Sequence, residues 1–281
     1  MFKRVSEVYI PVALFLGWCN TGQVLAQDVS HSDSESPTEA EKNQWHGLFG
    51  AGLAMLPEYD GADDYEFVPF VIVDASSGPF YFEFRGLEAL ANIVPDERFN
   101  AGPLVNIAPG RDEDMENEAV ARMRTLDDAI EVGGFVRYNL PNVFRGGDSV
   151  GIQLQAAQDM ADGHDGMISE FEVEYSLPAS QRWYLEIDAN VSYGDESYMQ
   201  ALFGVDAVDA SRSGLSPYEA GAGLVGAGVG ITVNYVLGRR WGILGVVNYT
   251  QLLGDAADSP LVDDEGSASQ YLGGLAVSYG F

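Results

Sequence analysis

Met167-Ile168-Ser169-Glu170-Phe171-Glu172-Val173-Glu174-Tyr175-Ser176-Leu177 alternates strictly, with Phe171, Val173, Tyr175 and Leu177 set against Glu170, Glu172, Glu174 and Ser176. A period of two is the mark of a strand whose faces meet different surroundings. The pattern recurs on both sides. Ile130, Val132, Gly134, Val136, Tyr138 and Leu140 interleave with Glu131, Arg137 and Asn139. Trp183, Leu185, Ile187, Ala189, Val191 and Tyr193 interleave with Arg182, Glu186, Asp188, Asn190 and Ser192. These runs exceed the roughly 5–6 residues of an ordinary globular strand. They match the ~9–11 residues of a tilted membrane strand, apolar toward lipid and polar toward the lumen.

Weaker copies occupy 46–56, 65–74, 79–85, 99–108, 149–158, 241–252 and 270–281, and a glycine-rich copy spans 220–237. The glycines at 221, 223, 226, 228 and 230 would each cost a helix about 1 kcal/mol, so that uncharged segment also reads as a strand. The apolar faces end in Tyr138, Tyr175, Trp183, Tyr193, Trp241, Tyr249 and Tyr279, as interfacial girdles do. Single-chain bacterial barrels have an even number of strands. The strand missing from the eleven above is expected at 87–94, in a hairpin around Arg85-Gly86. The reading is an all-β, transmembrane, antiparallel up-and-down β-barrel of twelve strands, with ten as the alternative.

The ends and the composition agree. Lys3 and Arg4 precede an apolar run from Val8 to Cys19, and Val24-Leu25-Ala26 offers small residues at a cleavage site. Residues 1–26 therefore read as a secretory signal peptide, 27–44 as a polar disordered leader and 45–281 as the barrel. The 281 residues hold 14 Lys and Arg against 43 Asp and Glu, a net charge of −29, which argues against nucleic acid as a partner. The expected location is the outer membrane of a Gram-negative cell. Expected partners are its lipid and lipopolysaccharide and the barrel assembly machinery, for which the terminal aromatic Phe281 is the assembly signal.

The loops carry a family resemblance. Leu56-Pro57-Glu58-Tyr59-Asp60-Gly61-Ala62-Asp63-Asp64-Tyr65, Gly110-Arg111-Asp112-Glu113-Asp114, Gly163-His164-Asp165-Gly166, Tyr198–Gly204, Ser211–Leu215 and Leu253–Pro260 with the acidic stretch Val262–Gly266 occur in order along the mature chain. Together they resemble the MipA/OmpV family of outer-membrane proteins (MltA-interacting protein). The resemblance implies an outer-membrane barrel acting as a scaffold between a lytic transglycosylase and a penicillin-binding protein; other relatives are antigens or adhesins.

The residues suggest no enzyme. General-base and nucleophilic chemistry needs an oriented base, usually His. His31 falls in the leader, His46 at the start of the first strand, and His164 in an Asp- and Gly-rich segment expected to be a solvated turn. No catalytic residue, cofactor or metal site is assigned. The clusters Asp112, Glu113, Asp114, Glu116, Glu118 and Asp255, Asp258, Asp263, Asp264, Glu265 suit hard cations, but they read as solvated surface. In the lumen, Glu131, Glu170, Glu172, Glu174, Glu186 and Asp188 would select cations in a porin-like channel, unless Arg137 and Arg182 pair with them and close it. Arg98, Arg145, Arg239 and Arg240, on short periplasmic turns, are candidate partner contacts.

Overall fold

The computed structural model describes residues 44–281. The expected signal peptide at 1–26, nearly all of the expected leader at 27–44, Cys19 and His31 lie outside the described residues. The strands are β1 (His46–Pro57), β2 (Tyr65–Ser77), β3 (Phe80–Arg85), β4 (Glu88–Asn92), β5 (Phe99–Ala108), β6 (Ala129–Pro141), β7 (Ser149–Asp159), β8 (Met167–Pro178), β9 (Trp183–Gly194), β10 (Gly223–Val236), β11 (Trp241–Leu252) and β12 (Ser269–Gly280). Each pairs antiparallel with its neighbours in sequence, and β1 pairs with β12, giving a closed twelve-stranded barrel. The expected hairpin at 79–94 is β3–β4, turned at Gly86, whose φ of 62° suits a residue without Cβ.

Alternation sorts the side chains as the sequence pattern requires. Ile130, Val132, Val136 and Tyr138 are exposed on the outer wall, whereas Glu131 and Arg137 are buried. Outward aromatics pair near the strand ends: Trp183 with Tyr235 at 4.6 Å between ring centroids, Trp241 with Tyr279 at 5.0 Å, and Tyr249 with Tyr271 at 5.1 Å. Phe281 lies just beyond β12, exchanging backbone hydrogen bonds with Gly47 of β1.

The wall is uneven in height. Strand β3 pairs with β2 only from Ile72 downward, so residues 65–70 of β2 face no ladder on that side. Gly86 N–H donates to the Val71 carbonyl, which puts odd-numbered β2 residues, Pro69 among them, on the unpaired edge. A proline there lacks only a donor that the ladder does not use.

At the end with both described termini the connections are tight turns, the arrangement of a periplasmic rim. At the other end, apart from the tight β3–β4 turn, they include the long ones, which carry α1 (Glu118–Ala121), α2 (Glu196–Phe203), α3 (Ala207–Ser213), α4 (Gly254–Ala257) and α5 (Pro260–Asp263). The carboxylates and amides of these loops help to start the helices: Asn117, Asp195 and Asp206 accept backbone N–H groups at the first turns of α1, α2 and α3.

Candidate functional site

The lumen and the loops above it hold the inward-facing chemistry. The interior divides into two sectors. Leu48, Ala54, Leu56, Val68, Phe70, Ile72, Leu244, Val246, Leu272 and Ala276, from β1, β2, β11 and β12, form an apolar cluster inside the barrel. Facing them, β3 to β9 present the polar residues. Glu131, Glu170, Glu172, Glu174, Glu186 and Asp188 all point inward, as the alternation predicts, and each is at most 3% exposed.

Register explains their density. Glu174 of β8 lies directly across from Asp188 of β9, and Glu172 and Glu186 stand one inward position away on the same strands. Like charges so placed repel unless cations intervene. Arg137 of β6 gives Nη2 to Glu174 Oε2 at 2.7 Å and Nε to Asn139 Oδ1 at 2.9 Å. Ser176 donates its hydroxyl to the other Glu174 oxygen. Arg85 of β3 reaches Asp74 at 3.4 Å and Glu83 at 3.3 Å. One oxygen of Glu172, both of Glu186 and one of Asp188 are buried without a hydrogen-bond partner among the described residues. The β10 glycines make room for this sector. A Cβ at Gly230 would stand 2.3 Å from Asp188 Oδ1, and one at Gly228 would stand 2.7 Å from Asn190 Oδ1.

Arg137 thus joins the acids as anticipated, whereas Arg182 does not. It lies exposed in the turn after β8, outside the lumen, because its residue is the last of that turn and precedes the first inward position of β9.

His164 corrects a second expectation. It is buried, not solvated. Its Nε2 lies 3.0 Å from Glu131 Oε1, while Gly166 N–H donates to Nδ1 at 3.0 Å. The ring also meets Tyr198 of α2 edge-on, with centroids 5.0 Å apart. The reason is long-range packing: the Asp- and Gly-rich turn exists, with Asp162 and Asp165 at positive φ, but α2 closes over it. Asp159 serves the turn's backbone, accepting the N–H groups of Ala161, His164 and Asp165. Asp60, in the β1–β2 loop, has its carboxyl pushed up to about 6 by desolvation, with the Glu131 charge adding and His164 opposing.

The loops close the outer mouth. Tyr59, Met115, Val120, Met123, Met199, Phe203, Leu215, Leu261 and Val262 pack into one apolar cluster that continues down to Leu104, Phe135 and Ile168 of the wall. Arg111 donates to the Leu202 and Ala201 carbonyls at the end of α2. Arg124 binds Asp206 and Asp209 around α3, and Ser259 donates to the Phe203 carbonyl at 2.6 Å. Glu113, Asp114, Glu116, Glu118, Asp255, Asp258, Asp263 and Asp264 face solvent on top of this cap. Among the described residues no group of three or more His, Cys, Asp or Glu side chains is arranged to hold a metal ion.

At the opposite rim, Arg145 donates to the Pro178 carbonyl at 2.6 Å and Arg240 to the Tyr279 hydroxyl at 2.8 Å. Arg98 and Arg239 are exposed.

The chain has curated relatives. It is 37% identical over 93 residues to outer membrane protein OmpV of Vibrio cholerae serotype O1, covering 33% of this chain and 34% of OmpV. It is 34% identical over 93 residues to outer membrane protein Omp26La of Vibrio anguillarum, with the same coverage of each. The chain spans less than half the length of the curated relatives it matches. A solved NanC porin structure aligns with 83% of this chain and 98% of its own at 10% identity and a TM-score of 0.46. The barrel and its named relatives place the protein in the outer membrane. The family model described as MltA-interacting protein MipA matches residues 49–281, and the chain belongs to that family.

Proposed function

We propose that this barrel is a non-enzymatic scaffold joining a murein-degrading lytic transglycosylase to a murein-synthesising penicillin-binding protein. The observation that supports this reading is the filled lumen. Its inward side chains are buried in a polar network and an apolar cluster, under a packed cap. Such a barrel meets other molecules at its rims. The family description names interaction with MltA, and the rim of short turns is the surface that would meet murein. On that rim Arg145 and Arg240 are tied to the barrel itself, which leaves Arg98 and Arg239 to meet an acidic patch on a partner. His164 is engaged with Glu131 and Gly166, so it is assigned no catalytic role. Phe281, at the β1–β12 seam, is the residue the assembly machinery would read.

A detergent-extract pull-down tests the scaffold. The chain should retain a lytic transglycosylase, and Arg98→Glu with Arg239→Glu should weaken retention several-fold while unheated gels still show the compact barrel. Extracts that yield no murein enzyme even after gentle cross-linking would remove this reading.

The acidic sector favours a second reading, a cation-preferring conduit that opens when the cap lifts. In planar bilayers it should give cation-selective steps, and Glu172→Lys with Glu174→Lys should shift the reversal potential toward anions. Silence with verified insertion leaves the scaffold.

A further inference from the structure

Beneath the cap, inside the acidic sector, lies a cavity of about 10 Å³, room for one water-sized particle, with Glu88, Asn106, Glu131, Gln155 and Glu170 on its wall. Register assembles it. Glu88 of β4 sits across from Asn106 of β5, Asn106 across from Glu131 of β6, and Gln155 of β7 across from Glu170 of β8.

The carboxylates around it are not equivalent. Glu131 receives Asn106 Nδ2 at 2.7 Å and has His164 Nε2 at 3.0 Å. Glu88 receives Gln155 Nε2 at 3.3 Å, and Gln155 Oε1 is in turn held by Gln153 Nε2 at 2.8 Å. Glu170 is 3% exposed, lines the cavity, and has no hydrogen bond or ion pair among the described residues. The next inward residue on its own strand is Glu172, and Glu88 faces it across the cavity wall, both of its own sign. A buried carboxylate with like-charged neighbours and no donor is costly unless positive charge reaches it.

We propose that this cavity takes one water-sized monovalent cation, potassium or ammonium, with Glu170 as its principal counter-charge and Glu88 as a second oxygen donor. Size and charge select the class. Among the described residues no three carboxylates, imidazoles or thiols are grouped to hold a metal ion, and the two carboxylates Glu170 and Glu88 around a cavity of this size suit a single positive charge rather than the carboxylate-rich shell that a Ca²⁺ takes. A water molecule would fit but brings no charge. The site stands whether or not the barrel conducts, and independently of any murein partner.

The test uses the purified full barrel in detergent, with the midpoint of its heat-induced gel shift measured in potassium, ammonium, sodium or N-methyl-D-glucamine chloride at equal ionic strength. Potassium and ammonium should raise the midpoint over N-methyl-D-glucamine by about 3 °C or more, the scale of one bound ligand in a chain this long. Glu170→Gln should abolish that difference and raise the midpoint in N-methyl-D-glucamine, because it removes the unpaired charge. If Glu170→Gln does not fold, Glu88→Gln is read the same way, and equilibrium dialysis of the unaltered protein with radioactive rubidium should count one ion per barrel. Midpoints indifferent to the cation, no bound rubidium, or a full cation effect surviving in the Glu170→Gln protein would each overturn the site. The last outcome would assign the effect to the external carboxylates.

Discussion

Replacing Arg137 by Met is expected to destabilise the barrel by about 3–5 kcal/mol, the loss seen when one partner of a buried ion pair is removed. Arg137 and Glu174 are 7% and 2% exposed at their side chains, and the 2.7 Å bond between them crosses from β6 to β8 inside the lumen. Without the guanidinium, Glu174 would keep Asp188 opposite and Glu172 beside it. Arg137→Lys should recover only part of the loss, because an ammonium cannot give the forked contact to both Glu174 and Asn139. The double replacement Arg137→Met with Glu174→Met should recover most of it, since an apolar pair of similar volume is often as stable as a buried ion pair. Denaturant unfolding in detergent, followed by tryptophan fluorescence, measures all four proteins. An Arg137→Met barrel within about 1 kcal/mol of the original would mean that Glu174 carries no charge in the folded state.

The legible and illegible parts of this molecule divide by the range of the forces involved. Strands β6, β8 and β9 announce themselves because a lipid-facing row alternates with an acidic row, and a period of two is a local property. Strands β1, β11 and β12 alternate more weakly because their inner faces are apolar as well. Leu48, Leu244 and Leu272 build the inner cluster from positions that a half-polar pattern would leave hydrophilic. The even-spaced glycines 226, 228 and 230 were a usable signal: on one inward row, Gly228 and Gly230 leave the space that Asn190 and Asp188 occupy.

The cap was harder to see. Its helices run from four to eight residues, too short for a 3.6-residue period to emerge. Its buried residues, Met115, Val120, Met123, Phe203 and Leu261, are scattered among carboxylates that do face solvent. The composition of these loops therefore describes their outer surface and conceals their inner one. His164 failed for the same reason: the turn around it is local, but Tyr198 and Glu131, which bury it, come from elsewhere in the chain.

That long-range packing sets the second large effect. Phe203 is fully buried at the end of α2, and its carbonyl accepts the Ser259 hydroxyl from the β11–β12 connection. Truncating such a phenylalanine costs about 3–5 kcal/mol. Here the loss should fall on the cap, because the barrel's ladders do not depend on Phe203. Phe203→Ala should raise the open population of the loops by about 10²–10⁴-fold, the factor that 3–5 kcal/mol of local stability corresponds to. Hydrogen exchange across residues 196–222 and 254–268 should accelerate accordingly, and added protease should nick those loops while the strands stay intact. Exchange unchanged from the original protein would show that the cap is held by its polar ties, chiefly Arg111 and Arg124, and not by its apolar cluster. The same variant separates the two functional readings. Cation-selective current that appears only when Phe203 is truncated would make the cap a gate over the acidic sector. Loops that open while the bilayer stays silent would leave the network of Arg85, Arg137 and their carboxylates as the seal, and a barrel sealed at that depth acts through its rims.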